Sequence, residues 1–555
     1  MENIALNWKK PILIVLLAIL FWLSLQLINP VYAAAQPETL DNVVLVKFQP
    51  GLPSTERAAL ILEMGGQELR WIEALSTARI RLPESSASRT RDDTLALAHR
   101  SSAVRAVEFD TLVNGVPVFT EQMVDIPQAG NSTIPTVPVQ VNDVDYNNSQ
   151  MQVYAPRIIN LPMAWNHTMG SRDIPIAILD TGILASHPEF AGRLLPGYDF
   201  VNNDADPHDD YGHGTHVAGI AAAAINNGVG MVGVCGNCSI IPVKVLNESN
   251  QGSWGNVAAG IVWSVNAGAR VINLSLGGGS VPSTVEDAVR YATEHNVLIV
   301  AAAGNGRTNT PFYPAALEDV VGVAATRNDD TRWSLSNYGP FVELAAPGYA
   351  VYSTYNNLSN TYGGYIYMSG TSMAAPHVAG LAALLLSQNP NLTIAQLREL
   401  MRKTAADLGE SGRDDYFGYG RIDVFAAIQA AVPPLQPNAA VGGIVWQDDN
   451  INGLQDQSER TVSDVLSIQV RDATDKLVGQ AMPNGSGRWR VEKLYPGTYK
   501  VIATVLGNTL LTTPATYDIQ LTNGQERTDV NFGTIQNDPV ASSYRVYVPT
   551  IQGTR

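Results

Sequence analysis

The stretch Pro175-Ile176-Ala177-Ile178-Leu179-Asp180 is an almost wholly apolar run that ends in an acid. Three further apolar runs follow at residues 241–246, 271–274 and 297–302, and segments of helical periodicity lie between them. Strands that are apolar on both faces are typical of a parallel sheet covered by helices on both sides. We therefore predict an α/β domain with a parallel sheet, and we place it at residues 149–432.

Different patterns flank this domain. Residues 36–115 combine short alternating runs with one helical segment, which predicts a small α+β domain, and residues 116–148 have the composition of a linker. After a proline-rich linker at 433–440, residues 441–536 contain short alternating strands without helical periodicity, which favours a β-sandwich. Residues 537–555 form a tail to which we assign no role.

The N-terminal segment has the form of a secretory signal peptide. Two lysines precede an apolar run at residues 11–27, and the small-residue segment 31–35 follows it. An uncleaved membrane anchor is the alternative, but the run is short for a span and contains Ser24 and Gln26. We therefore expect residues 1–35 to be removed, the protein to be secreted, and no stable membrane span to remain after processing.

The composition describes a large globular protein of 555 residues, 45% of them hydrophobic and 15% charged. Its 35 Lys and Arg against 51 Asp and Glu give a net charge of −16, which repels phosphate backbones and argues against a nucleic-acid partner. The two cysteines, Cys235 and Cys238, lie in a loop before a strand and lack the helical context of a redox motif. Two thiols alone cannot complete a zinc site, so in an exported protein we predict a local structural disulfide.

Three short segments carry reactive groups at strand ends or helix starts. Asp180 ends its strand, His213 opens a small-residue helix, and Ser372 lies at the start of another helix. The carboxyl edge of an open α/β sheet is where sites form, so we expect the three to meet. A serine hydroxyl needs an imidazole to accept its proton, and the imidazole needs a carboxylate on its other nitrogen.

Each segment has another interpretation when it is taken singly. The Asp-Thr-Gly at Asp180 also occurs in aspartic proteases, but those need two copies and this sequence has one. His213 and His216 are three residues apart and lack the spacing and the glutamate of a zinc-peptidase motif. Ser372 alone could serve as a helix N-cap. The presence of all three segments in one order favours a shared catalytic site.

The segments DTG at 180–182, HGTHVAG at 213–219 and GTSMAAPHVAG at 370–380 resemble those of the subtilases, the subtilisin-like serine proteases. The resemblance covers about residues 158–431 and implies a subtilisin-like fold. It assigns the nucleophile to Ser372, the general base to His213 and the orienting acid to Asp180. The segment AAAGNG at 301–306 resembles the family's oxyanion motif, which implies that the Asn305 amide stabilises the tetrahedral oxyanion.

The same resemblance implies a substrate cleft. One set of residues would form the strand that pairs with extended substrate backbone and one wall of the specificity pocket: Ser275, Leu276, Gly277, Ala302, Ala303 and Gly304. The segment 305–314 is short, as in the thermitase-like branch of the family, and carries no obvious acid. We therefore expect a preference for apolar or aromatic side chains.

Two sites for structural Ca²⁺ are expected. The loop 225–230 resembles the family loop that holds calcium through carbonyls and Asn227, with a carboxylate from Glu189 where the family has Asp; a surface turn is the alternative. In the second, oxygen-bearing side chains fall at positions 1, 3, 5, 9 and 12 of a loop with glycine at position 6. These are Asp448, Asn450, Asn452, Asp456 and Glu459.

Strands flank this second loop, so it is not a helical EF-hand, and a solvated acidic turn is the alternative. Residues 441–536 resemble the B domains of SdrD-type bacterial surface adhesins, which implies a calcium-binding β-sandwich. Residues 36–115 resemble a subtilase propeptide, which implies a chaperone that occupies the active site as an inhibitor until self-cleavage between residues 111 and 148.

Together these features predict a secreted, calcium-stabilised serine endopeptidase made as a self-processing preproenzyme. We expect it to be a monomer that hydrolyses protein or peptide substrates through an acyl-enzyme on Ser372. The alternative is a catalytically silent extracellular binding protein that acts through its C-terminal β-domain.

Overall fold

The computed structural model describes residues 39–83, 101–121, 140–148, 153–361, 363–431, 437–463, 466–522 and 524–536. The predicted signal peptide at 1–35, most of the predicted linkers and the tail at 537–555 lie outside the described residues. The chain divides into two compact units, Met1–Val432 and Pro433–Arg555.

The first unit begins with a small α+β domain. Its elements are β1 (Thr39–Phe48), α1 (Ser54–Glu63), β2 (Gln67–Ile72), β3 (Thr77–Arg81) and β4 (Val104–Gly115). Strand β1 pairs antiparallel with β3 and β4, and β3 pairs with β2. Buried side chains of α1 and the sheet, including Phe48 and Ile61, form a separate apolar core. This confirms the predicted α+β domain.

A seven-stranded parallel sheet forms the centre of the first unit, in the order β14-β13-β12-β10-β6-β8-β7. The sheet strands are β6 (Pro175–Asp180), β7 (Tyr198–Asp199), β8 (Ser239–Lys244), β10 (Val271–Leu274), β12 (Leu298–Ala302), β13 (Val320–Thr326) and β14 (Leu344–Pro347). Shorter strands lie outside it: β5 (Phe119–Glu121), β9 (Gln251–Ser253), β11 (Leu276–Gly277), β15 (Val351–Thr354) and β16 (Tyr365–Ser369).

Helices cover both faces of this sheet. The described helices are α2 (Val144–Asn147), α3 (Ala155–Ile158), α4 (Leu161–Ala164), α5 (His213–Ala222), α6 (Trp254–Asn266), α7 (Ser283–Glu294), α8 (Thr371–Gln388), α9 (Ile394–Thr404) and α10 (Val424–Ala431). Alternate residues of β6 belong to opposite cores: Ile176 and Ile178 pack with α5 and α8, whereas Ala177 and Leu179 pack with α6 and α7. The apolar runs therefore form doubly covered strands, as predicted.

The second unit is a β-sandwich, as predicted. One sheet has the order β20-β17-β25-β22 with β24 beside β17, and the other has the order β19-β18-β21-β23. The strands are β17 (Ala439–Gln447), β18 (Leu466–Asp472), β19 (Leu477–Ala481), β20 (Arg488–Leu494), β21 (Gly497–Val505), β22 (Thr509–Leu511), β23 (Thr516–Leu521), β24 (Glu526–Arg527) and β25 (Phe532–Gln536). Buried residues from both sheets, among them Val445, Ile468, Trp489 and Phe532, form its core.

Candidate active site

Asp180 and His213 form a buried ion-pair geometry at the carboxyl edge of the central sheet. Asp180 is the last residue of β6 and His213 is the first residue of α5. Asp180 Oδ1 lies 2.7 Å from His213 Nδ1 and also accepts a hydrogen bond of 2.7 Å from the Thr181 amide. Both side chains are fully buried. The contact fixes the imidazole so that Nε2 is left for a proton from a nucleophile.

Ser372 lies in the first turn of α8, as predicted for a nucleophile at a helix start. Its Oγ is 3.3 Å from the Ser275 carbonyl and 3.5 Å from the Val116 carbonyl. His213 Nε2 is buried and has no hydrogen-bond partner among the described residues. The serine hydroxyl therefore does not donate to the imidazole while Val116 lies beside it.

Asn305 faces the same point from the loop after β12. Its Oδ1 accepts hydrogen bonds from the Thr371 amide (3.0 Å) and the Thr371 hydroxyl (2.8 Å). This orientation turns Nδ2 towards the cleft, where it donates a hydrogen bond of 2.6 Å to the Pro117 carbonyl. A side-chain amide held in this way is a pre-oriented donor for a carbonyl oxygen beside Ser372.

The predicted substrate-binding strand, residues 275–277, pairs with a segment of the same chain. The end of β4 pairs antiparallel with β9 on one side and β11 on the other. The ladder continues through the amide of Gly115, which donates to Asn250 O (2.9 Å), and the amide of Val116, which donates to Ser275 O (3.2 Å). Beyond Ser372, β5 pairs antiparallel with β16. Residues 112–121 therefore cross the whole cleft in extended form.

The remaining predicted cleft residues line this strand. Ser275 Oγ donates to the Ser372 carbonyl (2.9 Å), and the Gly304 amide donates to Thr371 Oγ1 (3.0 Å). Leu276 and Gly277 form β11, and Ala302 and Ala303 are fully buried. Ser275 therefore contacts Ser372 directly, and Gly304 contacts the neighbouring Thr371.

Sequence reasoning missed two buried charged residues beside Asp180 and His213. Asp209 accepts hydrogen bonds from the Gly212 amide (2.7 Å), the Thr215 amide (2.9 Å) and the Thr181 hydroxyl (2.8 Å). An acid at this place satisfies the free amides at the start of α5, and its position just before Gly212 was the available signal. Lys244, paired in register with Asp180, donates to Thr181 O (2.7 Å).

Two other histidines near the site are not equivalent to His213. Burial lowers the pKa of His216 to about 3 and that of His377 to about 4. His216 Nε2 contacts the Ile366 carbonyl at 3.1 Å, and His377 Nδ1 contacts the Met373 carbonyl at 2.8 Å. These backbone contacts fit structural roles for His216 and His377.

The Glu189 carboxylate beside the loop 225–230 accepts hydrogen bonds from three residues, one of them in that loop. Glu189 Oε1 accepts hydrogen bonds from Tyr365 Oη (2.9 Å) and the Met231 amide (3.0 Å), and Oε2 accepts one from Asn227 Nδ2 (2.8 Å). Asn227 Oδ1 is turned away, towards the Val229 amide at 3.0 Å. Burial raises the pKa of Glu189 to about 7. In this arrangement the residues do not fit the predicted calcium site.

In the loop after β17, unlike at Glu189, the predicted oxygen ligands accept hydrogen bonds from the loop itself. Asp448 is fully buried, and its two oxygens accept the amides of Asn452 (3.1 Å) and Gly453 (2.8 Å). Asp456 Oδ2 accepts the side-chain amides of Asn450 (2.6 Å) and Asn452 (3.0 Å). Gly453 has a φ of +74°, which supplies the tight turn that a calcium loop needs at this position.

Glu459 closes this loop: its oxygens accept the amides of Asp449 (3.0 Å) and Asp456 (2.9 Å). Every donor to these carboxylates belongs to the loop itself, and the side-chain donor set is of the hard oxygen type that calcium prefers. The chemistry of the loop therefore fits calcium. Within the described residues, His, Cys, Asp and Glu side chains form no group of three that could hold a metal ion. Asn450 and Asn452 direct their amide nitrogens at Asp456, so both side chains would have to turn for their oxygens to face a cation.

The cysteine pair and the apolar character of the helices bear on the predicted disulfide and on membrane spans. Cys235 and Cys238 form a disulfide in the loop before β8, and both residues are buried. Among the described helices, none has the length and apolar character required to cross a membrane.

Comparisons with known proteins identify relatives of both units. Residues 171–420 match the model of the subtilase family, and residues 439–540 match that of the SdrD B-like domain. Thermitase of Thermoactinomyces vulgaris is 43% identical over 288 residues, which are 52% of this chain and 99% of thermitase. The thermophilic serine proteinase of Bacillus sp. (strain AK1) is 37% identical over 390 residues, 70% of this chain and 88% of that protein.

A solved structure also has the same fold. The crystal structure of fervidolysin from Fervidobacterium pennivorans, described as a keratinolytic enzyme related to subtilisin, aligns with a TM-score of 0.62 at 23% identity. The alignment covers 89% of this chain and 79% of that one.

Proposed function

The chain belongs to the subtilase family of serine peptidases, and we propose that it is a secreted, monomeric endopeptidase made as a self-inhibited precursor. The observation that carries the proposal is the arrangement around the bond between Val116 and Pro117. Ser372 Oγ lies 3.5 Å from the Val116 carbonyl, and the Asn305 amide donates to the Pro117 carbonyl. The Asp180–His213 pair leaves His213 Nε2 without a hydrogen-bond partner among the described residues.

The proposed reaction follows from these positions. Ser372 Oγ forms a bond to the scissile carbonyl carbon as its proton moves to His213 Nε2, and Asp180 stabilises the imidazolium that results. The carbonyl oxygen becomes an oxyanion, which accepts hydrogen bonds from Asn305 Nδ2 and the Ser372 amide.

The second half of the cycle reverses the proton movements. His213 gives its proton to the departing amine as the carbon–nitrogen bond breaks, which leaves an acyl-enzyme on Ser372. Water then loses a proton to His213 and attacks the acyl carbon, and the serine leaves with that proton. The pairing of β4 with β9 and β11 supports recognition of extended protein substrates by backbone hydrogen bonds.

Self-inhibition is supported by the register of residues 112–121. The Val116 carbonyl is the one beside Ser372, but the Asn305 amide donates to the next carbonyl, that of Pro117. The oxyanion donor is therefore not directed at the bond that faces the nucleophile. Proline also carries a ring carbon in place of the amide hydrogen, which adds bulk on the side where His213 must protonate the leaving nitrogen.

Contacts of the residues that follow this strand limit the interval in which the maturation cleavage can lie. Asn142 accepts a hydrogen bond from the Gly228 amide (2.8 Å), and Asp143 accepts one from the Asn226 amide (2.9 Å). These contacts tie residues from 142 onwards to the catalytic domain. We therefore place the junction of the mature enzyme between residues 117 and 140, inside the interval expected from the sequence.

Calcium is proposed for the second unit only. Asp448, Asn450, Asn452, Asp456 and Glu459 would hold it, and the cation would supply a charge that links the two ends of the loop. The loop at Glu189 and Asn227 is left out, because Tyr365, from a distant element, holds the Glu189 carboxylate and Asn227 Oδ1 accepts from Val229 instead of facing Glu189.

The test is to compare the precursor from residue 36 onwards with its Ser372→Ala variant. We expect the wild-type chain to lose its N-terminal domain and to hydrolyse casein, and the variant to remain at full mass without activity. The exposed serine variant Ser486→Ala is the matched control and should process normally. Processing and hydrolysis by Ser372→Ala, in a preparation free of other proteases, would overturn the assignment.

A further inference from the structure

We propose that Phe312 closes the pocket for the substrate side chain that precedes the cleaved bond, and so restricts that side chain to small and branched aliphatic groups. This inference rests on the proposed endopeptidase function and deepens it by naming a substrate class.

The strand held in the cleft identifies the pocket. The Val116 amide donates to Ser275 O at 3.2 Å and the Val116 carbonyl lies 3.5 Å from Ser372 Oγ. Val116 is therefore the residue on the N-terminal side of the bond that faces the nucleophile. Val116 is 1% exposed and belongs to the apolar cluster against which the partly buried Phe312 packs.

Phe312 stands between the two walls of this pocket. A Cβ atom added to Gly277, on β11, would lie 2.4 Å from Phe312 Cε1, and one added to Gly304, after β12, would lie 3.0 Å from Phe312 Cγ. The ring therefore touches the backbone of both walls at once. Glycine at both positions is what gives the ring room.

The ring is held by its neighbours in the chain. Tyr313 exchanges two backbone hydrogen bonds with Gly278, of 2.8 and 2.9 Å, which join this segment to the continuation of β11. The Phe312 carbonyl accepts a hydrogen bond of 2.9 Å from the Ala316 amide. The backbone on both sides of Phe312 is fixed in this way, and the position of its Cα relative to β11 is fixed with it.

The consequence is a short pocket. An aromatic substrate side chain would have to enter the space between the walls that the Phe312 ring already fills, whereas valine or alanine ends before it. The sequence predicted a preference for apolar or aromatic substrate side chains. The short pocket restricts this preference to aliphatic side chains.

The test uses the mature enzyme and four tetrapeptide p-nitroanilides that differ only in the last residue: Ala, Val, Leu or Phe. We expect kcat/KM of the wild type for the Phe substrate to be at least about 10-fold below that for Val. The variant Phe312→Ala should raise the Phe-to-Val ratio by about 10-fold or more. The matched control Phe425→Ala, a half-buried phenylalanine on α10, should leave the ratio unchanged.

A wild type that prefers Phe, or a Phe312→Ala variant with an unchanged ratio, would overturn the inference. The wild-type ratio decides the matter alone if the variant does not fold. Failure of the wild type to hydrolyse every substrate, with no labelling of Ser372 by a fluorophosphonate, would overturn the proposed function and this inference with it. Labelling together with an aromatic preference would overturn the inference only.

Discussion

The two units of this chain place their acidic side chains in different settings. In the first unit Asp180, Asp209 and Glu189 are fully buried, and each contacts groups from other elements of the fold. In the second unit the oxygens of Asp448 and Glu459 accept hydrogen bonds from their own loop. The contrast indicates that the first unit uses its acids to position other residues, whereas the second gathers acids at one place where a cation can take over.

Neutralising one acid in each unit should change kcat in the first unit only. Asp180→Asn should lower kcat by about 10⁴-fold, because the imidazole loses the partner that fixes its tautomer and stabilises its charge. Glu459→Gln, the matched substitution in the second unit, should leave kcat unchanged. Steady-state kinetics on one p-nitroanilide substrate checks both. A large loss of kcat in Glu459→Gln would break the division between the units.

The second prediction concerns the strand that occupies the first unit's cleft. In the Pro117→Ala precursor the ring carbon next to the leaving nitrogen is gone, so we expect cleavage of the bond between residues 116 and 117. Mass spectrometry of the released N-terminal fragment would show it ending at Val116. Pro50→Ala, an exposed proline after β1, is the control and should process as the wild type does. An unchanged fragment in Pro117→Ala would argue that proline does not protect this bond.

Chelation of calcium should change only the Tm of the protein. It tests the contrast between the loop at Glu189 in the first unit and the loop at Asp448 in the second. In the full-length Ser372→Ala chain, which cannot digest itself, removal of calcium should lower the Tm of the second unit only. At free calcium a thousand times its Kd the stabilisation that is lost amounts to about 4 kcal/mol. Differential scanning calorimetry would resolve the two units.

Asp448→Asn identifies the transition of the second unit in that experiment, because its Tm should no longer respond to chelation. The first unit should not respond, since Tyr365, from a distant element, holds the Glu189 carboxylate and Asn227 Oδ1 is turned away from it. A response of the first unit alone would reverse the assignment of calcium between the two loops.

The features that sequence alone predicted are those encoded in short segments. The doubly covered strands follow from apolar runs such as Pro175–Asp180, and the β-sandwich follows from the alternation between residues 441 and 536. Residues such as Ser372 and Asn305 were named because their immediate neighbours form specific motifs. Their roles in catalysis stay predictions until they are measured.

Contacts between distant segments are what the sequence did not reveal. Tyr365 reaches Glu189 across 176 positions, and Thr371 orients Asn305 across 66. The position of Phe312 between Gly277 and Gly304 depends on how three separate segments of the chain pack. Such contacts depend on the packed fold, and no local pattern of residue types encodes them.

We propose that Ser372 is a reactive nucleophile that its own N-terminal domain covers until maturation. The most direct measurement is the mass of the protein, before and after maturation, following exposure to a fluorophosphonate. We predict that the mature protein, having lost its N-terminal domain, gains one adduct that maps to the Ser372 peptide, and that the intact precursor gains none. A mature protein without the adduct, or an adduct on another residue, would contradict the claim.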